Sequence, residues 1–381
     1  MEYRVDAIRS FKELKIRKDE WISFEKKIKN IQLSYTYNYL SIFWQSYSNA
    51  RKRELGLQRK LLVLFLYENN SLIAIYPLCK IIYRRKKILK VSAIEFISQQ
   101  IAPMYLDIIC DNLKDEAHLF IFNWLYQNEK FHYIFFSQIP GFTVNKNSIF
   151  YKYLYSFSYC TEADFGNIQK YDEYKKNNYP KKIRDKLNLC RNRIEKAGYK
   201  MNFIFKDFVI DDLEELERIA NYKENQVKAI KNIYSDEYKK NFLKEIYHSF
   251  ETKICYLQLD LKNIAFITFI RFNNKIFLYD TAYDTAYQQF SPGILSFNAC
   301  IEENINEGVK SSNFGWGGDF YKFRLGNTFI PLNRSITIGN KIFSFLWFKE
   351  RLKMIKQDKL FFEETTNLLK EATTHLDRNK T

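Results

Sequence analysis

The chain has 381 residues, of which 46% are hydrophobic and 18% aromatic, and its formal net charge is +16. This length predicts two domains, and the apolar content excludes an intrinsically disordered protein. The excess of Lys and Arg is compatible with an anionic partner such as coenzyme A phosphates, an acidic carrier protein, tRNA or a lipid headgroup. It is also compatible with the amino-acid bias of an AT-rich genome, because it is spread along the chain.

The opening segment is charged and amphipathic, without the apolar core and cleavage site of a secretory signal. No window approaches the roughly 18 apolar residues in a row that a spanning helix needs. We therefore expect a cytoplasmic protein. Six scattered cysteines without a Cys-x-x-Cys pair, and four dispersed histidines, predict free thiols and no metal site.

The first half of the chain opens with two predicted helices and continues mainly with strands. The helices lie around Trp21 to Ile28 and over 35–53, and a further helix is expected at about 114–128. The predicted strands are 61–68, 71–80, 88–97, 104–110 and 131–139. Asn69-Asn70 separates two of them by a tight turn suited to a hairpin. Residues 141–178 are polar and weakly periodic, which is typical of a connection between halves.

The second half opens with an amphipathic helix over 179–198, with Pro180 in its first turn, Gly198 at its C-terminal cap and a basic outer face. Strands are then predicted at 201–207, 254–260, 264–272 and 275–284, and helices at 212–227, 236–250 and 292–307. Both halves share this order, which predicts two copies of one α+β fold. We divide the chain into domains 1–165 and 166–345 and a basic helical tail, 346–381.

The segment after the strand at 275–284 has the composition of a phosphate site. Ser291 is placed to cap the next helix, Pro292 fits its first position, and Gly293 allows close approach to the backbone. A helix start of this kind offers free N–H groups and a positive dipole end to an anion. An ordinary capped helix remains an alternative.

A glycine-rich stretch follows that helix, with Gly315, Gly317 and Gly318 at a predicted strand end. Such clustering indicates close approach of a ligand or of another backbone. Tyr321 and Lys322 come next, and on a strand their side chains would point to opposite faces. A bulged strand with a solvated turn is the alternative.

Together, Tyr-Asp, Ser-Pro-Gly, a helix, and Phe-Gly-x-Gly followed by Tyr-Lys resemble the GNAT_6-type acyltransferases, the CelD/BcsL-like proteins of bacterial exopolysaccharide loci and relatives of the Fem peptidoglycan transferases. The resemblance implies tandem GNAT folds with mixed, mostly antiparallel sheets, of which only the second retains a donor site. It implies that the backbone at 291–294 holds the pyrophosphate of an acyl-CoA. Those four residues are Ser291, Pro292, Gly293 and Ile294.

The resemblance also suggests further site residues. Candidates for catalysis are Asp284, Asp319, Tyr321 and Lys322; candidates for substrate binding are Arg184, Asn313, Trp316 and Arg324. The chain departs from the family at Asn313, where the family usually has Asp. If that carboxylate is the general base, its role is vacant here or is taken by Asp319 or Asp284.

These features lead us to expect an N- or O-acyltransferase that uses acyl-CoA and acts on a sugar nucleotide or another envelope or exopolysaccharide precursor. A Fem-like enzyme that uses aminoacyl-tRNA, or one that depends on an acyl-carrier protein, is the alternative within the superfamily. A catalytically inactive GNAT-like scaffold is the alternative outside catalysis, with Asn313 as its supporting feature. Peripheral contact with a membrane also stays open.

Overall fold

The computed structural model describes residues 2–48, 58–85, 89–99, 102–141, 154–226, 234 and 236–378. It has twelve strands in these ranges: β1 (Tyr3–Ile8), β2 (Gln58–Glu68), β3 (Ser71–Arg85), β4 (Leu89–Phe96), β5 (Tyr133–Pro140), β6 (Tyr155–Asp164), β7 (Met201–Asp207), β8 (Glu251–Leu259), β9 (Lys262–Phe272), β10 (Lys275–Tyr283), β11 (Ser311–Trp316) and β12 (Thr328–Ile338). The α-helices in the same ranges are α1 (Phe11–Ile16), α2 (Lys18–Glu25), α3 (Tyr37–Tyr47), α4 (Asp115–Asn128), α5 (Tyr171–Asn178), α6 (Lys181–Lys196), α7 (Asp212–Gln226), α8 (Glu237–Ser249), α9 (Pro292–Asn306), α10 (Phe320–Leu325) and α11 (Ser344–Arg378).

The chain divides into two compact units. Unit 1 contains residues 1–158 and 331–363, and unit 2 contains residues 159–330 and 364–381. The predicted boundary at 165/166 lies seven residues past the observed one at 158/159. The predicted linear division is wrong for 331–363, which return to unit 1 because β12 pairs antiparallel with β5.

Unit 1 is built on a sheet with the strand order β1-β2-β3-β4-β5-β12. Its neighbours are antiparallel except β4 and β5, which run parallel over Ala93–Tyr133 and Ile94–Ile134. The helix α4 connects these two strands, as a parallel crossover requires. The predicted Asn69-Asn70 turn is confirmed, because both residues have positive φ, as a two-residue hairpin needs.

Unit 2 repeats the same plan with the order β7-β8-β9-β10-β11-β6. Here β10 and β11 are the parallel pair and α9 is the crossover helix. The apolar stripe predicted on α6 is buried in the core of this unit, through Ile183, Leu187, Cys190 and Ile194. Each of the Ile and Leu side chains of this stripe contributes about 1.5–3 kcal/mol when it is fully buried, so the stripe holds α6 firmly in place.

Several predicted elements differ from the structure. The stretch 141–178, expected to be a connection, contains β6 and α5 in its described part, and 104–110 forms a single bridge at Ile109 rather than a strand. The helix expected over 35–53 is α3, and its last five predicted residues lie outside the described residues. Pro180 is the N-cap of α6 rather than part of its first turn. In the described part of the chain, no helix is both long and apolar enough to cross a bilayer.

Candidate functional site

The parallel strands of unit 2 pair only at their beginnings. β10 and β11 are in register from Lys275–Ser311 to Phe277–Asn313, yet the strands continue to Tyr283 and Trp316. A bulge at Tyr279 shifts β10 against β9, and the register of β11 against β6 also shifts beyond Asn313. The two strands therefore form a fork whose facing backbone groups are not paired with each other. Such groups can hydrogen-bond to the amides of an extended ligand.

The helix α9 starts close to the end of β10. Pro292 occupies its first position as predicted, and its first turn carries no charged side chain. A Cβ added at Gly293 would have only one heavy atom within 4 Å, Tyr283 Cδ1 at 3.9 Å, so space is open at this point of the backbone. Ile294 is buried and fixes the helix to the core. The arrangement suits an anion, because unsatisfied N–H groups and the helix dipole point into open space.

Ser291 does not act as the side-chain cap that the sequence suggests. Its backbone is left-handed, with φ 52° and ψ 55°, and its side chain makes no capping hydrogen bond to α9. The preceding residues form a tight 3₁₀ turn from Thr285 to Phe290, and Ser291 N–H donates to Gln288 O at 2.9 Å. Since a hydroxyl cap would satisfy one of the first N–H groups, its absence keeps those groups available.

Asp284 has a structural task in this turn. It is buried, and its Oδ1 accepts from Ala286 N–H at 3.0 Å at the start of the 3₁₀ turn. Its Oδ2 accepts from Lys262 Nζ at 3.1 Å. Burial opposes the charge of Lys262, but the hydrogen bond and charge of Asp284, together with Tyr287, outweigh it and raise the pKa of this lysine. Both carboxylate oxygens of Asp284 are thus engaged in shaping the loop before α9.

The glycine-rich stretch leads into a short helix, α10, not a strand, so the predicted opposite orientation of Tyr321 and Lys322 is wrong. Lys322 is buried, and its ammonium donates to Trp316 O at 3.1 Å and lies 3.4 Å from the carboxylate of Asp319. Asp319 itself is exposed. Lys322 is therefore a buried cation that ties α10 to the end of β11 rather than a solvated lysine.

Three further predicted residues lie on the helices of this unit: Tyr321 and Arg324 on α10, and Arg184 on α6. Tyr321 packs its ring on Phe297 of α9 at 4.6 Å, and burial raises its pKa well above the usual range, so it stays protonated. Arg324 is half-buried on α10, and burial lowers its pKa. Arg184 lies on α6, where it contacts Lys176 O at 3.5 Å.

Asn313 is fully used by the sheet. Its amide donates to Glu162 Oε1 at 2.8 Å, and its oxygen accepts from Gly315 N–H at 2.8 Å and from the Cys160 thiol at 3.3 Å. A carboxylate in this place would lie against the buried Glu162, which explains physically why the chain has an amide here. The predicted substrate contact of Asn313 finds no support in this geometry.

A carboxylate that the sequence analysis missed lies at the fork. Asp280 follows the bulge directly, and Tyr234 donates a hydrogen bond to its Oδ2 at 2.7 Å. Burial and the charge of Asp280 hold the pKa of Tyr234 well above its ordinary value, so this phenol remains a donor. Thr268 binds the backbone N–H of Asp280 at 3.1 Å and the hydroxyl of Tyr247 at 2.8 Å. The one sequence signal was an acidic residue inside an apolar strand.

The matching fork in unit 1 is filled. The side chain of Gln99 donates to Phe135 O at 3.0 Å and accepts from Ser137 N–H at 2.9 Å, so it occupies the edge of β5 beyond its pairing with β4. Gln138 is held in a left-handed conformation and donates to Ala102 O and Met104 O at 2.6 and 2.9 Å. The first turn of α4 carries Asp115 and Glu116. Unit 1 thus lacks both the open fork and the uncharged helix start.

Residues 181–323 match the family model described as an acetyltransferase (GNAT) domain, a range that includes α6, the fork, α9 and most of α10. This match identifies a GNAT acetyltransferase domain in the second half of the chain. None of the curated proteins matches the chain by sequence.

Solved structures agree on the fold. The chain is similar to a crystal structure of FemX, with a TM-score of 0.52 and 10% identity over 81% of this chain and 88% of that one. It is also similar to a conserved protein of unknown function from Bacteroides thetaiotaomicron, with a TM-score of 0.51 and 10% identity over 84% of this chain and 96% of that one. At this identity the likeness concerns the fold alone, and it extends over both units.

Lys322 gives a testable expectation at the site. Replacing it with Met keeps the length of the side chain but removes the charge that binds Trp316 O, so we expect turnover to fall at least about tenfold, about 1.4 kcal/mol in the barrier. Steady-state kinetics with any accepted donor and acceptor measures this. Lys310→Met, at an exposed lysine just before β11, is the control and should leave turnover unchanged. Equal turnover of both variants would show that Lys322 is not needed for the reaction.

Proposed function

We propose that the protein transfers an acyl group directly from an acyl-CoA thioester to an amino or hydroxyl group of a small acceptor. In this proposal the pantetheine arm lies in the fork between β10 and β11, and the pyrophosphate lies on the first turn of α9. The observation that carries the proposal is the combination of an open fork with an uncapped, uncharged helix start beside Gly293. No metal is required, because a thioester is already activated toward a nucleophile.

The chemistry balances with the groups at the fork. The lone pair of the acceptor attacks the thioester carbonyl, the carbon–sulfur bond breaks with coenzyme A leaving as its thiolate, and the acceptor loses a proton that finally neutralises this thiolate. We assign that proton to Asp280, whose carboxylate is held in place by Tyr234. A hydrogen-bonded carboxylate is a weak base, which is sufficient for an amine and demanding for a hydroxyl.

The acceptor class comes from the resemblance to exopolysaccharide acyltransferases, which favours a sugar nucleotide or another envelope precursor. A donor screen with acetyl-CoA, longer acyl-CoAs and acyl-carrier protein tests the first half of the proposal, because the three donors share the thioester and differ in what carries it. Binding of acyl-carrier protein without binding of any acyl-CoA would reject CoA as the donor.

We further expect one donor site in each chain. The filled fork of unit 1 and the acidic start of α4 disfavour phosphate there, whereas unit 2 offers an open fork. Titration calorimetry with CoA should give a stoichiometry of one. Two sites of similar affinity would contradict the division of labour between the units.

A second candidate is a Fem-like reaction that uses aminoacyl-tRNA or an acyl-carrier protein. The outer face of α6 favours it, because the exposed Lys182, Lys186 and Arg193 form a basic strip suited to an acidic macromolecule. The salt dependence of binding separates the two candidates, since a tRNA complex weakens steeply with salt. The main support for an inactive scaffold is Asn313 in place of an aspartate. Because the Asn313 amide binds Glu162 in the sheet, this residue has a structural role and does not favour an inactive protein.

A further inference from the structure

An apolar surface in unit 1 is exposed just before and at the start of α11. Its members are four large side chains with exposed fractions of 81%, 62%, 58% and 49%: Ile342, Phe343, Phe345 and Leu346. Single exposed apolar residues are common, but a contiguous group of this size marks a contact site. The exposed lysines of the next turns belong to the same surface: Lys349, Lys353 and Lys356. We call these seven residues the Phe343 surface.

The exposure is not caused by a loose helix. The inner side of α11 is firmly packed: Trp347, Phe348 and Ile355 lie against the core of β4, β5 and β12. On the same side the Arg351 guanidinium lies 4.2 Å from the ring centroid of Phe135 and donates to Tyr133 Oη at 2.8 Å. The core therefore uses one side of the helix, and the Phe343 surface is the other side.

The backbone holds the most prominent aromatic outward at a cost. Phe343 has φ 65°, in the left-handed region that a bulky side chain rarely adopts. This conformation precedes α11 directly. It places the side chains of Ile342 and Phe343 in solvent rather than in an apolar core. Backbone strain of this kind is found at functional positions more often than in neutral loops.

The charge of the segment points to the kind of partner. Residues 341–360 include six basic and two acidic residues, and one of the acidic side chains, Glu350, is 3.7 Å from Lys353. Burial, and then the charges of Lys80 and Lys90, lower the pKa of Lys341 at the start of this segment. A second copy of this surface would bring a second excess of positive charge against it, because a two-fold contact uses the same patch on both partners. An anionic surface has no such conflict.

We propose that the Phe343 surface binds the face of a bilayer that contains anionic lipids, with its aromatic and aliphatic side chains inserted at the level of the headgroups and its lysines on the phosphates. Amphipathic segments bind membranes in this way when buried apolar area and attraction to anionic lipid act together. The contact is peripheral and needs neither donor nor acceptor. It therefore stands or falls independently of the transferase reaction.

The test is flotation of the full-length protein with vesicles of phosphatidylcholine alone and of phosphatidylcholine with about one third phosphatidylglycerol. We expect binding to the anionic vesicles that is at least about tenfold stronger than to the neutral ones. The double variant Phe343→Ser/Phe345→Ser should lose it, and Lys349→Glu/Lys353→Glu should abolish the preference for anionic lipid. Ile16→Ser, at another exposed apolar residue of unit 1, is the matched control and should bind as the parent does.

A further variant separates binding from folding. Phe343→Gly relieves the left-handed strain, so it should raise the melting temperature while weakening vesicle binding at least about tenfold. Absence of binding to anionic vesicles by the parent protein would overturn the proposal. So would a concentration-dependent dimer, seen in sedimentation equilibrium and lost in the Phe343→Ser/Phe345→Ser variant, because the surface would then belong to a second copy.

Discussion

Replacing Gly293 with aspartate is expected to abolish binding of coenzyme A and to leave the fold intact. The position has room for the new side chain, since a Cβ there would contact only Tyr283 at 3.9 Å. A carboxylate in the first turn also suits the helix dipole, so α9 is not destabilised. The same charge would lie where the pyrophosphate is proposed to bind and would repel it. Calorimetry with CoA should show at least about a hundredfold loss of affinity, equivalent to about 2.7 kcal/mol.

The control is Gly293→Asn, which has nearly the size of aspartate but no charge. It should retain a larger part of the affinity, and circular dichroism should show the same melting behaviour for both variants within about 1 kcal/mol of stability. If aspartate and parent bind CoA equally well, the phosphates do not lie on α9 and the donor site is elsewhere.

Asp280→Asn is expected to reduce turnover by about a hundredfold or more, within the range found for loss of a general base. The amide keeps the size of the carboxylate: its oxygen can still accept from Thr281 N–H, and its NH2 group can donate to the Tyr234 hydroxyl, so the fork should keep its shape. Affinity for CoA should not change, because the phosphates are bound at α9. A kinetic comparison that separates kcat from the donor KM measures both effects.

Asp284→Asn decides between the two carboxylates at this end of β10. Its amide can still cap the 3₁₀ turn, and the ion pair with Lys262 that it loses is partly exposed on the lysine side. The expected change in turnover is less than about threefold, since such pairs contribute little. A large loss in Asp284→Asn together with normal turnover in Asp280→Asn would return the role of the base to Asp284.

Local patterns were sufficient to predict most elements and the repeat of the fold. Apolar periodicity predicted α6 and its buried stripe, and the paired asparagines predicted the hairpin between β2 and β3. The same patterns could not assign β12 to unit 1, because strand pairing is a long-range choice that no local period encodes. Strand β6, in the polar stretch before α6, could not be predicted for a related reason. The burial of β6 depends on its pairing with β11, which follows much later in the chain.

The parts of the candidate site that are formed by neighbouring residues in the sequence could be predicted. The parts that are formed by residues far apart in the sequence could not. Pro292 and Gly293 are neighbours in the sequence, so their pattern alone predicts a helix start. The structure places them at an open helix start. Asp280 escaped because its partner Tyr234 lies 46 residues away. Tyr321 and Lys322 were assigned to a strand because six residues are too few for a helical period to show.

The last strand of the unit 1 sheet, β12, follows the strands of unit 2 in the sequence, and this order affects how the protein folds during its synthesis. Strand β5, which reads YIFFSQIP and is buried throughout, has no neighbour on one side until β12 is available. All strands of the unit 2 sheet precede Pro331, so the ribosome delivers that sheet complete while the sheet of unit 1 still lacks β12. An apolar edge exposed over this interval is the kind of segment that nascent-chain chaperones shield. The N-terminal half is thus translated first but is the last to finish folding.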